Sequence, residues 1–405
     1  MAARDFSWRP DLPILGRMSA RDRLEEQGWA SDAHGLAEPA MTSLLARKDA
    51  VLAEAILQVE RARGVSLGAF DDAKLDDIEL AKAATRAVLR YDRGSLELAK
   101  AVAARMRGEF GLHDEMAWCT LPYPIVHFPM DASEKGPMHR DAYPYIRDFH
   151  TTWTPLNDCL DEPLAVIEGS HRRPGFLAKL LGRRADPGPT VHPDPRIGQF
   201  LVWYGSTQHE GLLNRSGRVT MALVVRFTNT PIRVEGTRAT EALERDPLDV
   251  PPTDVPATVA ALVAAFEALQ ARARLDAAGA TKASLAEDEA TIAALGLSSL
   301  DRKRLSFLLS LWAQRLEVKR DVSHVHRLAS VCARDNLHSL RKASDALLAR
   351  AEAGGVAFLQ DYLDAYPSVQ AEHVVRMAAD ALPRTKPPTL RWPGSPPLLE
   401  WSIVA

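Results

Sequence analysis

Between residues 113 and 235 the chain breaks into short β-prone runs: YPIVHFP, HTTWTPL, LAVIEGS, QFLVWYG and VTMALVVRF. Pro, Gly, Asn and Asp clusters separate them. Short strands with frequent turns fit antiparallel neighbours in a sandwich or barrel, whereas a doubly wound parallel sheet needs a helical crossover between strands. No GxGxxG, GKS or GKT sequence is present, so nucleotide-binding folds have no support.

The flanks have a different texture. Residues 1–37 read as irregular, punctuated by Pro10, Pro13, Gly16 and Gly28. From 38 to 112 apolar residues recur at three-to-four spacing, as in MTSLLARKDAVLAEAILQVERAR and LELAKAVAARM, which predicts helices packed on the strand region. Residues 1–112 are thus an N-terminal irregular and helical segment, and 113–235 the core. PLDVPPTDVP marks a proline-rich joint over 236–256. A helical domain is expected over 257–385, from amphipathic runs such as TVAALVAAFEALQARARL and RLSFLLSLWAQRLEV. Prolines recur too often in 386–405 for helix, which predicts an irregular tail.

The chemistry concentrates in PMHRDAYPY (137–145). In an extended strand, residues i and i+2 share a face, so His139 and Asp141 aim an imidazole and a carboxylate at one point. QHEG then places His209 just after the run QFLVWYG. Two histidines and one carboxylate, with other positions open, are the donor set of mononuclear non-haem Fe(II) oxygenases. A second His-x-Asp, His192-Pro193-Asp194, sits between prolines and reads as a turn.

The run from 137 to 231 resembles the phytanoyl-CoA dioxygenase family of Fe(II)/2-oxoglutarate-dependent oxygenases. HRDAYPY is similar to the family's His-x-Asp segment. TTWTPLNDCLDEPLAVIEGSHRRPGF is similar to the stretch that follows it. IGQFLVWYGSTQHEGLLNRSGRVTMALVVRF resembles the strand of the distal histidine, with Asn214 and Ser216 in the expected places. The resemblance spans roughly a quarter of the chain. It implies iron bound by His139, Asp141 and His209. It also implies an α+β fold: a double-stranded β-helix (jelly-roll, cupin-like) core with N-terminal helices and an additional C-terminal all-helical region. The family holds the far carboxylate of its cosubstrate, 2-oxoglutarate, with an arginine eleven residues after the distal histidine. Here that position is Thr220. Arg218 and Arg226 share its strand face by the period of two, and a guanidinium on either could grip a carboxylate through paired hydrogen bonds. Arg218 is favoured as the nearer. Retention of Asp141 implies hydroxylation or desaturation, because halogenating relatives give up this carboxylate.

Other features read as structural. His171 in GSHRR is expected to hold a turn, and Trp203 and Tyr204 to pack in a strand. Tyr143 and Tyr145 either line the pocket mouth or pack. His127 and His150 lie near the proposed site in sequence, with only a minor claim to substrate contact. His324, His326, Cys332 and His338 fall in a helical stretch, where residues two apart do not share a face. The formal charge of −3 excludes a nucleic-acid or anionic-membrane surface. Cys119, Cys159 and Cys332 form no CxxC pair. No apolar run approaches the ~20 residues of a spanning helix, and MAARDFSWRPDLP lacks the layout of a signal peptide. The expectation is a cytoplasmic enzyme acting on a small-molecule substrate with O₂, and the helical region offers one surface for a homodimer. Two alternatives stand beside it: an Fe(II) oxygenase without 2-oxoglutarate, and a non-catalytic jelly-roll binding protein.

Overall fold

The computed structural model describes residues 18–32, 36, 38–67, 72–112, 117–118, 122–131, 138–141, 149–157, 163–172, 188–228, 232–235, 253–277, 285–316, 328–329, 332, 389–392 and 399–403. The first elements are α1 (Ala20–Gln27), β1 (Trp29–Ser31), α2 (Glu38–Arg63), α3 (Leu75–Arg90) and α4 (Arg93–Phe110). The strand region follows as β2 (Ala117–Trp118), β3 (Tyr123–His127), β4 (Phe149–Pro155), β5 (Leu164–Ile167), β6 (Thr190–Val191), β7 (Leu201–Tyr204), β8 (His209–Gly211), β9 (Thr220–Thr228) and β10 (Ile232–Glu235). Then come α5 (Val255–Ala277), α6 (Leu285–Ala294), α7 (Ser299–Leu316), β11 (Thr389–Trp392) and β12 (Leu399–Ile403).

The larger sheet runs β1-β7-β4-β9, with β2 and β3 sharing the far side of β9, and a smaller sheet runs β6-β5-β8. The pairings within both are antiparallel, as the turn-rich cadence predicts. Both faces of the larger sheet are covered, and β9 shows how. Met221, Leu223, Val225 and Phe227 point to the helices, whereas Ala222 and Val224 join Trp153, Leu164, Leu201 and Trp203 on the other face. Leu164 belongs to β5, so the smaller sheet packs on this inner face. Burying each large β9 side chain is worth roughly 2 kcal/mol, which fixes the register. A slip of one residue would turn the inner set outward.

Helix α3 seals the edge of the sheet. Lys82, Arg86 and Arg90, spaced one turn apart, are all buried. Arg86 Nη2 donates to the Val126 carbonyl and Arg90 Nη1 to the Pro122 carbonyl, both at 3.3 Å. These bonds satisfy acceptors on and just before β3, which among the described strands pairs with β9 alone and would otherwise present an open edge. Lys82 Nζ lies 2.7 Å from Asp131 Oδ2, with both side chains at 0% exposure. That ion pair ties α3 to the chain shortly before His139.

Three parts of the chain differ from the sequence reading. Residues 1–37 were expected to be irregular, yet α1 and β1 lie within them. Ser19 and Asp22 form a reciprocal capping box, and Gly28 ends the helix at φ 84°. A Cβ on Gly28 would sit 2.2 Å from His171 Nδ1, so only glycine fits. The expected irregular tail contains β11 and β12, which pair antiparallel and join β10. Prolines do bar helix there, but TLRW and LEWSI contain none and are free to form ladders. In the C-terminal region, Val259, Leu262 and Phe266 of α5 and Leu305 and Leu308 of α7 share one core with α2 and α3. The proline-rich joint therefore does not separate two cores among the described residues.

Replacing Lys82 with Met removes the cation that pairs with the buried Asp131 carboxylate and with Glu79. The expected cost is about 3 kcal/mol, read from the urea midpoint, and Lys82→Met with Asp131→Leu should recover most of it.

Candidate metal centre

One backbone pairing brings the distant parts of the site together. His139 and His209 form an isolated antiparallel bridge. His139 N donates to the His209 carbonyl at 2.9 Å, and His209 N donates to the His139 carbonyl at 3.0 Å. Partners that exchange both bonds project side chains to the same side. The two imidazoles accordingly stand with ring centroids 4.3 Å apart. On its other edge β8 pairs with β5, with His209 opposite Val166.

Asp141 reaches the same point. Its Oδ1 lies 3.7 Å from His139 Nε2, and its Oδ2 lies 3.6 Å from His209 Nε2. One donor atom from each of the three residues can be chosen so that all lie within 4.8 Å of one another. The floor beneath them is a row across the larger sheet: Trp203, Thr151 and Arg226 are register partners on β7, β4 and β9. Thr151 Oγ1 donates to Asp141 Oδ2 at 2.7 Å. Arg226 Nη2 lies 3.4 Å from Asp141 Oδ1. The Trp203 ring centroid is 4.8 Å from that of His209.

The electrostatics prepare these groups for a cation. Burial alone would raise the Asp141 pKa, but Arg226, His209, the Thr151 hydrogen bond and His139 outweigh it and hold the carboxyl below its ordinary value. His209 moves down from 6.5, chiefly because burial disfavours the imidazolium and despite the opposing pull of Asp141. His209 Nδ1 lies 3.0 Å from the Thr207 carbonyl, an atom that can only accept. The proton therefore sits on Nδ1, and Nε2 presents its lone pair to the centre. Thr207 is itself held by a 2.7 Å bond from its Oγ1 to the Gly28 carbonyl. Two imidazoles, that of His209 held neutral with Nε2 free of its proton, and an oriented carboxylate suit a divalent transition metal. Among the described residues the Trp203 Nε1–H, buried beside His209, has no acceptor, which leaves a donor for an oxygen-bearing ligand.

The sequence-predicted residues divide cleanly. His139, Asp141, His209 and Arg226 converge. Thr220 pairs with His127 at the opposite end of β9, whereas Arg226 pairs with Thr151 beneath the triad. Six residue steps along the strand separate them, about 20 Å. Arg218 lies on the turn before β9 with its side chain exposed. Its carbonyl accepts from Asn214 Nδ2 at 2.7 Å, and Ser216 bonds the same asparagine, so both family-like residues organise this turn. The structure thus places Arg226, and not the nearer-in-sequence Arg218, against the triad. His150 packs on Tyr204 with ring centroids 4.9 Å apart, on the helix-facing side of the larger sheet. His171 sits in a turn with Nε2 3.1 Å from the Glu25 carbonyl. His192 and Asp194 lie outside regular structure, as a turn reading expects. Tyr143, Tyr145, His324, His326, His338, Cys119 and Cys159 fall outside the described residues. Cys332 is buried.

Sequence reasoning missed Thr151, Thr207 and the placement of Trp203 beside His209. Thr151 depends on its cross-strand partners, Thr207 on its contact with Gly28, and Trp203 on the packing of one sheet on the other, none of which the local pattern encodes.

No family model matches the chain, and no curated protein does. Among solved structures, AviO1 from Streptomyces viridochromogenes Tue57 is similar at 20% identity and a TM-score of 0.33, over 52% of this chain and 93% of that one. SnoK, a non-haem α-ketoglutarate-dependent carbocyclase from nogalamycin biosynthesis, is similar at 18% identity and a TM-score of 0.31, over 52% and 83%. The epimerase SnoN in complex with Fe³⁺, α-ketoglutarate and nogalamycin RO is similar at 14% identity and a TM-score of 0.31, over 52% and 82%. Among the described residues, no helix is long and apolar enough to cross a membrane.

The direction of the His209 shift sets a pH dependence. With its native pKa below 6.5, the stability that His209 contributes is fully present above pH 6.5 and is lost as pH falls toward the native value. Divalent-metal affinity should fall over the same acidic range, because protons compete for Nε2. Titration calorimetry with Mn(II) across that range checks both sign and window.

Proposed function

We propose that this protein is a mononuclear non-haem Fe(II)/2-oxoglutarate-dependent oxygenase with a double-stranded β-helix core, and that it hydroxylates or desaturates a small molecule. The observation that carries the reading is the convergence of His139, Asp141 and His209, with the His209 tautomer locked by Thr207. The three side chains would hold the iron. Bound there, Fe(II) and 2-oxoglutarate would supply oxidation by O₂: the oxo acid leaves as succinate and CO₂ while the substrate gains oxygen or loses two hydrogens.

The remaining roles belong to the chain's own residues. His209 presents a neutral Nε2, His139 offers a second imidazole, and Asp141 brings the negative charge that favours a dication. Arg226 carries a guanidinium to the inner face of the larger sheet, and we assign it, ahead of Arg218 and Thr220, to a carboxylate of the cosubstrate. The Trp203 N–H, beside His209, is a further donor. The apolar surface of Trp153, Leu201 and Val224 keeps water from the inner face.

A second reading is an Fe(II) oxygenase that does not use 2-oxoglutarate. Thr220 at the family's arginine position favours it, as does the apolar pair Ala222 and Val224 between Thr220 and Arg226.

Incubating the iron-loaded protein with O₂, ascorbate and 2-oxoglutarate separates the two. Slow substrate-independent succinate formation is expected, as is an apparent 2-oxoglutarate requirement raised about 10- to 100-fold in Arg226→Met and unchanged in Arg218→Ala. Iron retention without succinate, and indifference to Arg226→Met, would favour the second reading.

A further inference from the structure

The two oxygens of Asp141 are held unequally. Oδ2 accepts the Thr151 hydroxyl proton at 2.7 Å. Oδ1 has Arg226 Nη2 at 3.4 Å, longer than a strong charge-assisted bond, and faces His139 Nε2 at 3.7 Å. Thr151 is 1% exposed, in the middle of β4 between its register partners Trp203 and Arg226. Its hydroxyl therefore cannot exchange Asp141 for water. A hydroxyl has one proton to donate, and giving it to Oδ2 engages that oxygen's lone pair. Both oxygens face an imidazole, Oδ2 lying 3.6 Å from His209 Nε2, but Oδ1, with only the longer Arg226 contact, is the more weakly hydrogen-bonded of the two.

We propose that Thr151 is a positioning residue that keeps Asp141 a one-oxygen ligand, so that the metal retains room for both an oxo acid and O₂. This rests on the function proposed above. A carboxylate free to bind through both oxygens would take one of the roughly three positions that a three-ligand site leaves open. The chain would then still bind metal but chelate an oxo acid poorly. Most core threonines in strands serve packing alone, and Thr152, whose hydroxyl bonds the Val225 carbonyl at 2.9 Å, is an example on the other face of the same strand. Thr151 differs because its hydroxyl is bonded to a metal-site carboxylate.

The test uses Mn(II) as a probe and counts inner-sphere waters by water-proton relaxation. The protein and its Thr151→Ser variant, which keeps the donor, should both show about three waters. Thr151→Val, which keeps the shape and loses the proton, should bind Mn(II) yet show about two. Its affinity for 2-oxoglutarate should fall at least about 10-fold, with metal affinity changed far less. An unchanged water count in Thr151→Val overturns the proposal, as does a valine-like count in Thr151→Ser. Loss of Mn(II) binding in Thr151→Val also overturns it, since the hydroxyl would then build the site and not set its open positions. The parent reading fails separately: if 2-oxoglutarate displaces no water from the unmodified protein, the cosubstrate is wrong, while the difference in water count still decides the role of Thr151.

Discussion

The candidate site depends on the two hydrogen bonds exchanged between His139 and His209. They join a short stretch after β3 to the first residue of β8, and they bring two imidazoles to one side at a ring separation of 4.3 Å. Neither residue lies in a long ladder. The pairing holds because its surroundings are fixed. On one side β8 is bonded to β5. On the other, the buried Lys82–Asp131 pair anchors the chain to α3 ahead of His139. Gly28 allows Thr207 close enough to bond its carbonyl, and Thr207 in turn sets the tautomer of His209. A helix cap near the N-terminus thus bears on which nitrogen of a distant histidine faces the centre.

The larger sheet does two jobs through the period of two. One set of side chains on β9 joins the helical core, and the alternate set faces the smaller sheet. That alternation carries Arg226 to the triad by the same rule that buries Phe227 behind it. Between Thr220 and Arg226 the inner face of β9 is apolar, along Ala222 and Val224, and it becomes polar again at the row of Trp203, Thr151 and Arg226. Polar groups therefore gather where the triad stands. Burial of Asp141 and His209 strengthens the charge coupling between them.

Much of this was legible in the sequence. His-x-Asp in an extended segment, followed by a histidine at a strand end, identified the three residues that converge, because the period of two is a local rule. Turn spacing predicted antiparallel strands for the same reason. The parity argument even named Arg226 as sharing a face with Thr220, but it could not say which end of β9 meets the triad, so nearness in sequence pointed to Arg218. That choice needs the register of β9 against β4, which is a non-local property. Thr151 was hidden for a similar cause: HTTWTP shows three threonines, and only pairing with Arg226 distinguishes the one beneath Asp141. The capping box of Ser19 and Asp22 was readable and was overlooked amid the prolines and glycines around it. The strands at 389–392 and 399–403 were masked by the prolines between and before them.

The most direct measurement is an anaerobic titration of the metal-free protein with Fe(II) and then 2-oxoglutarate, followed by visible absorption, with His139→Ala alongside. A weak charge-transfer band that appears only after both additions, and is absent from the variant, is the expected result. Failure of the unmodified protein to bind iron, or a band that persists in His139→Ala, would contradict the centre described here.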